Sequence, residues 1–266
     1  MFDFSSLTLG SALVLFIAAL LGGTLNAVAG GGSFLSFPSL YFIGVPPVNA
    51  NATSTIALWP GSVAALSAYR QELSRQSRSF IIWFGTISLI GGLLGAILLI
   101  RTPQSTFTQI LPFLLLAATL LFAFSRNITR ALRGKGNATA ERTLGNTIAL
   151  SALQLTIAIY GGYFGGGIGI MMLAALGIMG MDNIHEMNSL KTLFQTAING
   201  VAVIYFILAG AIFWPQAVIM IAGAIIGGYG GASVARKLPQ IYIRSFVIAV
   251  GTAMTIYFFG KAFGLV

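Results

Sequence analysis

The 266-residue chain contains no cysteine, only five acidic residues and a single histidine. Without cysteine there is no disulfide, no thiolate metal site and no thiol nucleophile. His185 lies in "DNIHEMN", where a surface position is the expected one and a proton relay the alternative. No Walker motif, HExxH or Ser/His/Asp set is present, so neither an enzyme nor a bound metal or cofactor is expected. Charged residues together make up 7% of the chain. That is too little polar surface for a soluble globule of this length.

Apolar length takes its place. Hydrophobic residues make up 57% of the chain and the mean hydropathy is +0.92. Runs at about 7–29, 49–69, 79–100, 106–125, 143–165, 187–211, 215–235 and 241–264 each reach the roughly 20 residues that cross a bilayer. Two shorter runs, 33–44 and 167–180, do not. The expected class is an all-α integral membrane protein of about ten transmembrane segments, with lipid as its surroundings. The first run has neither a basic n-region nor a small-residue cleavage site and reads as a retained helix. The fourteen Lys+Arg residues sit mostly in short loops without interleaved aromatics. Such a pattern reports orientation in the membrane and gives no support to a nucleic-acid partner.

The two halves repeat at a lag of about 136 residues. "AGGG" at 29–32 matches "FGGG" at 164–167, and "GGLLGAILLIRTPQ" at 91–104 matches "GGYGGASVARKLPQ" at 227–240. Charge sets their relation. Arg70, Arg75 and Arg78 follow one span, and Arg126, Arg130, Arg133, Lys135 and Arg142 fill the central stretch, so both belong in the cytoplasm. In the second half the loop equivalent to Arg70–Arg78 is the uncharged "GAIFWP", while the loop equivalent to Pro103 carries Arg236 and Lys237. The reversed sign predicts 5+5 inverted-topology repeats. The chain then divides into a first repeat (1–125), a basic cytoplasmic loop (126–143) and a second repeat (144–266), with both termini outside and only Arg101 and Lys261 opposite the cytoplasmic side.

Each repeat carries a glycine break followed by a short helix pair. Broken helix is tolerated in hydrocarbon only where protein buries it or water lines it. Gly30, Gly31 and Gly32, with Gly165, Gly166 and Gly167, would therefore meet near the midplane, where half-helix N-termini turn N–H groups towards an anion. Gly91/Gly95 and Gly227/Gly231 lie in uninterrupted spans and read as close-packing positions. Next in the chain come "NANATST" at 49–55 and "NSLKT" at 188–192. Asn49, Asn51 and Asn188 read as helix caps. Thr53, Ser54 and Thr55, with Ser189 and Thr192, add hydroxyls that an oxyanion can use, and Asn51 and Asn188 join them as candidate contacts. Lys191 sits in the opening turn of a span and can either face an anion or snorkel to the surface beside Asp182 and Glu186. Asn26, Gln154, Gln195 and Asn199 are polar residues in apolar spans, with interhelical bonding and pore lining as their two uses.

The stretch "NAVAGGGSFLSFPSLYFIGVPPVNANATS" from Asn26, paired with "YGGYFGGGIGIMMLAALGIMGMDNIHEMNSLKT" from Tyr160, resembles the sulfite exporter TauE/SafE family, also called the toluene-sulfonate uptake permeases. The resemblance covers essentially the whole chain. It implies a multi-pass transporter of the bacterial inner membrane that moves a small sulfur oxyanion, sulfite or an organosulfonate. By position the family's glycine segments fall on Gly30–Gly32 and Gly165–Gly167, and its A-T-S stretch on Ala52, Thr53 and Ser54. The second-half counterpart, Asn188-Ser189-Leu190-Lys191, departs from that pattern. The expected function is export of a small anion by alternating access, with a passive anion channel or a non-transport assembly factor as alternatives. Proton or sodium coupling and a homo-oligomer stay open.

Overall fold

The computed structural model describes residues 7–29, 31–133, 144–181, 183–231 and 240–263. All regular structure among them is helical, as lipid requires, since a helix satisfies its backbone within its own segment. The helices are α1 (Leu9–Ala29), α2 (Ser33–Phe42), α3 (Pro47–Ala68), α4 (Arg70–Ser74), α5 (Arg78–Arg101), α6 (Gln104–Arg133), α7 (Leu144–Tyr163), α8 (Ile168–Ile178), α9 (Ile184–Leu208), α10 (Trp214–Ile226) and α11 (Gln240–Ala262). Five stretches are long and apolar enough to cross a membrane: Leu9–Asn26, Arg78–Arg101, Gln104–Phe124, Ile184–Leu208 and Ser245–Ala262. By contrast α2 and α8 have 10 and 11 residues. At 1.5 Å per residue they reach roughly 15–17 Å, half the hydrocarbon thickness.

Local structure departs from the sequence-based expectation at three places. Helix α6 runs through Arg126 to Arg133, so the basic stretch begins as helix rather than loop; at 30 residues it is about 45 Å long and its charged end outruns the hydrocarbon. Residues 134–143 lie outside the described residues. Helix α10 runs on into one π turn, Gly227–Gly231, where continuous α-helix was expected. The carbonyl of Leu20 presses on Gly227 there, and the Thr24 hydroxyl donates to the Gly227 carbonyl at 2.9 Å, giving that group a partner outside the wide turn. Finally, the caps sit elsewhere. Helix α3 starts at Pro47 without a side-chain cap. Asn183, not Asn188, caps α9, its Oδ1 accepting from the His185 amide at 3.0 Å.

Packing follows a pattern of exchanged partners. Helix α1 lies along α10 as α5 lies along α7; α3 touches α10 as α5 touches α9; α2 touches α11 as α8 touches α6; α3 meets α9, and α6 meets α11. Glycine permits the closest of these contacts, because in lipid helices associate through backbone approach rather than a hydrophobic drive. A Cβ on Gly92 would stand 2.9 Å from the Ile198 backbone, and one on Gly223 2.5 Å from the Phe16 carbonyl. Gly91 and Gly95 face the α7 backbone in the same way, so the close-packing reading holds for them and for Gly227.

Two sets of hydrogen bonds tie the loops into opposite faces. On the basic face, Gln76 Nε2 donates to Glu186 at 3.0 Å, joining the segment after α4 to the start of α9. On the other face, Asn49 donates to the Ala211 carbonyl and Gln104 to Asn49. Lys261 lies 5.0 Å from the centre of the Tyr41 ring.

Candidate functional site

Both breaks abut one stretch of α6. Gly31 packs against Phe122, and Gly166 and Gly167 against Ala118, four residues or about 6 Å earlier along the axis. Gly165 and Gly167 both have φ of +75°, a conformation that disfavours any side chain. Gly30 lies outside the described residues. Several of the opening amides of the short helices close turns onto the break glycines. Phe34 N–H donates to Gly31, Leu35 and Ser36 to Gly32, Ile168 to Gly165, and Ile170 and Met171 to Gly167.

The polar residues opening α3 complete these breaks. Buried Asn51 donates from Nδ2 to the Tyr163 carbonyl at 2.9 Å, satisfying the last turn of α7. Thr53 Oγ1 accepts from the Phe213 amide at 3.1 Å, at the start of α10. Ser54 and Ser36 share a 2.6 Å hydrogen bond, and Ser36 also donates to the Gly32 carbonyl. Thr55 donates back to the Asn51 carbonyl, Tyr160 to the Gly166 carbonyl, and Ser189 to the Glu186 carbonyl. Buried backbone polar groups need partners, and these side chains are the partners.

A cavity of about 30 Å³ lies between α1, α3 and α9, lined by Gly23, Asn26, Leu58, Gly61, Ser62, Ala65, Tyr69, Lys191, Thr192 and Gln195. It has room for about two waters. Helix α9 begins at Ile184, which places Lys191 two turns inside the helix, about 10 Å along its axis, rather than in the opening turn. The Lys191 stem and Gln195 pass Gly169 of α8, where a Cβ would stand in ordinary contact, 3.5 Å from Lys191 Cδ and 3.5 Å from Gln195 Oε1.

The cavity is rich in donors. Asn26 gives one N–H to Ser62 Oγ at 3.1 Å and keeps the other. Neither Lys191 nor Gln195 has a hydrogen-bond or ionic partner among the described residues. Thr192 uses its hydroxyl proton on the Asn188 carbonyl. No acid lines the cavity among the described residues. Glu186, the acid on α9, accepts from Gln76 and Asn183, and Asp182 lies outside the described residues. Nor do any three His, Asp or Glu residues cluster as metal ligands among those described. A lone ammonium beside two amides, with no carboxylate, is a set of groups that attracts an anion and repels a cation.

Four residues singled out from sequence therefore meet here: Asn26, Lys191, Thr192 and Gln195. Gly31, Gly32, Asn51, Thr53, Ser54, Thr55, Gly165, Gly166, Gly167, Asn188 and Ser189 are not in the lining. Ser62 and Tyr69 went unnoticed in the sequence. The signal for Ser62 was a polar residue inside an otherwise apolar span, where a hydroxyl needs partners; it donates to the Leu58 carbonyl at 3.4 Å and accepts from Asn26.

The family model described as "Sulfite exporter TauE/SafE" matches residues 15–258, which takes in every residue that lines the cavity. The chain belongs to the sulfite exporter TauE/SafE family. Its TauE/SafE relatives include a Haemophilus influenzae "Probable membrane transporter protein", 28% identical over 91% of this chain and 92% of its own length. Another is the Escherichia coli "Probable membrane transporter protein YfcA", 27% identical over 96% of this chain and 91% of its own length. The Bacillus subtilis "Probable membrane transporter protein YunE" is 25% identical over 91% of this chain. No solved structure matches. Family membership and the apolar helices together make this TauE/SafE protein an integral membrane protein of a transporter family.

Proposed function

We propose that the protein is a secondary transporter that exports a small sulfur oxyanion, sulfite or an organosulfonate, across the bacterial inner membrane by alternating access at the α1–α3–α9 cavity. The observation that carries this reading is Lys191, an ammonium two turns inside a membrane helix, facing a cavity in which no acid among the described residues pairs with it. An intramembrane charge is costly and is kept for function. The relatives' family description supplies the substrate class. The exchange of helix partners between halves supports the 5+5 inverted repeat, and a two-fold pair of bundles is what rocks in alternating access. Tyr69 and Ala65, near the end of α3 that leads into Arg70, bring the cavity towards the basic face. If that face is cytoplasmic, with both termini periplasmic, the cavity loads from inside, as export requires.

Counterflow tests the proposal. Proteoliposomes preloaded with unlabelled sulfite are expected to take up labelled sulfite faster than unloaded ones, and external sulfoacetate or thiosulfate to slow that uptake. Uptake no faster than in protein-free liposomes for any of the three would contradict it.

A further inference from the structure

We infer that the site takes an oxyanion of single negative charge neutralised by Lys191 alone, so that the membrane potential acts on the return of the empty site and not on the loaded one. The inference rests on the transport reading above and deepens it to a charge class and a driving force.

The charge count of the cavity carries the first part. Of its ten lining residues only Lys191 is charged. The rest of the donor set, Asn26 and Gln195, is neutral, and the five acids of the chain (Asp3, Glu72, Glu141, Asp182 and Glu186) contribute none to the described lining. A monoanion against one ammonium leaves no net charge in a low-dielectric cavity. A dianion leaves one uncompensated charge, and such a charge costs several kcal/mol when buried. Neutral amides then orient the oxygens without changing that balance.

The second part follows from moving the same charges. With a monoanion bound, the site crosses the membrane field as a neutral unit. Empty, it carries the Lys191 charge, and an inside-negative potential favours its return inward. One cycle of export moves one negative charge out. Because no carboxylate lines the described cavity to hold a sodium ion or a proton, the potential itself is the driving force. One elementary charge through 100 mV is worth about 2.3 kcal/mol, an equilibrium ratio of about fifty.

The test uses full-length wild-type protein in proteoliposomes, with potassium diffusion potentials set by valinomycin. The probes are methanesulfonate, an obligate monoanion, and sulfate, a dianion with a similar head group. Methanesulfonate is expected to compete with labelled sulfite at least about tenfold better than sulfate. Its net efflux is expected to speed up as the interior becomes negative, approaching an out-to-in ratio of about fifty per 100 mV, while one-for-one exchange ignores the potential. In Lys191→Gln, whatever flux survives should show the opposite: voltage-sensitive exchange. A preference for sulfate, wild-type exchange that follows the potential, or net flux that ignores the potential and follows a pH gradient would each overturn the inference while leaving counterflow, and with it the transport reading, intact. Loss of counterflow for every anion would overturn that reading as well.

Discussion

Gly95→Leu is expected to leave little monodisperse protein in detergent, whereas Gly85→Leu, ten residues earlier on the same helix, behaves like wild type. The two glycines differ in what faces them. A Cβ on Gly95 would collide with the Ile159 carbonyl and stand 2.7 Å from the Tyr163 amide and 2.9 Å from Gly162. These are backbone atoms and have no rotamer through which to yield. A Cβ on Gly85 meets nothing within 4 Å. Overpacking costs about 1–3 kcal/mol where side chains can adjust and more where they cannot. The Gly95 contact also lies in the α5–α7 pairing, and Gly92 of the same helix meets Gly162, so forcing these helices apart loosens several contacts together. Size-exclusion profiles and thermal unfolding of the two variants side by side check this. Equal behaviour would mean that α5 and α7 do not approach as described.

Lys191→Met is expected to lower sulfite transport by about thirtyfold or more, the equivalent of about 2 kcal/mol or more for losing one partner of a buried charge pair. Thermal stability should hold or rise. Methionine keeps the length that packs against Gly169 while removing an ammonium that costs roughly 2.5–3.5 kcal/mol at a membrane helix centre. Opposite signs on transport and stability distinguish a substrate-facing lysine from a structural one. Were Lys191 held by an acid or snorkelling to the basic face, its loss would lower stability or leave transport alone. Proteoliposome flux and detergent melting curves of the same preparations give both readings.

Much of the helical layout is legible in the sequence because lipid leaves few options. An apolar run of some 20 residues crosses, a run of about 10 cannot, and three glycines between them mark the place where the chain turns. Side-chain roles at the breaks are less legible. Asn51, Thr53 and Ser54 look like free hydrogen-bonding groups until their long-range partners are known: Tyr163 is 112 residues from Asn51, and Phe213 is 160 from Thr53. At the broken half-helices the sequence likewise did not show that the amides of Phe34, Leu35, Ser36, Ile168, Ile170 and Met171 turn back onto the break glycines. Lys191 stood out by its charge, but its depth depended on where α9 starts. A cap at Asn183 rather than Asn188 moves the lysine more than a turn inward. Ser62 is a polar residue in an apolar span, but its link to Asn26, on a different helix, is not legible there.

The most direct test of an anion site between α1, α3 and α9 is a structure determined with selenite, the selenium counterpart of sulfite, located by its anomalous scattering. An anomalous peak is predicted within hydrogen-bond reach of Lys191 Nζ and the Gln195 amide, and it should vanish in Lys191→Met. A peak at Gly165–Gly167 instead, or one that persists without the lysine ammonium, would contradict the account.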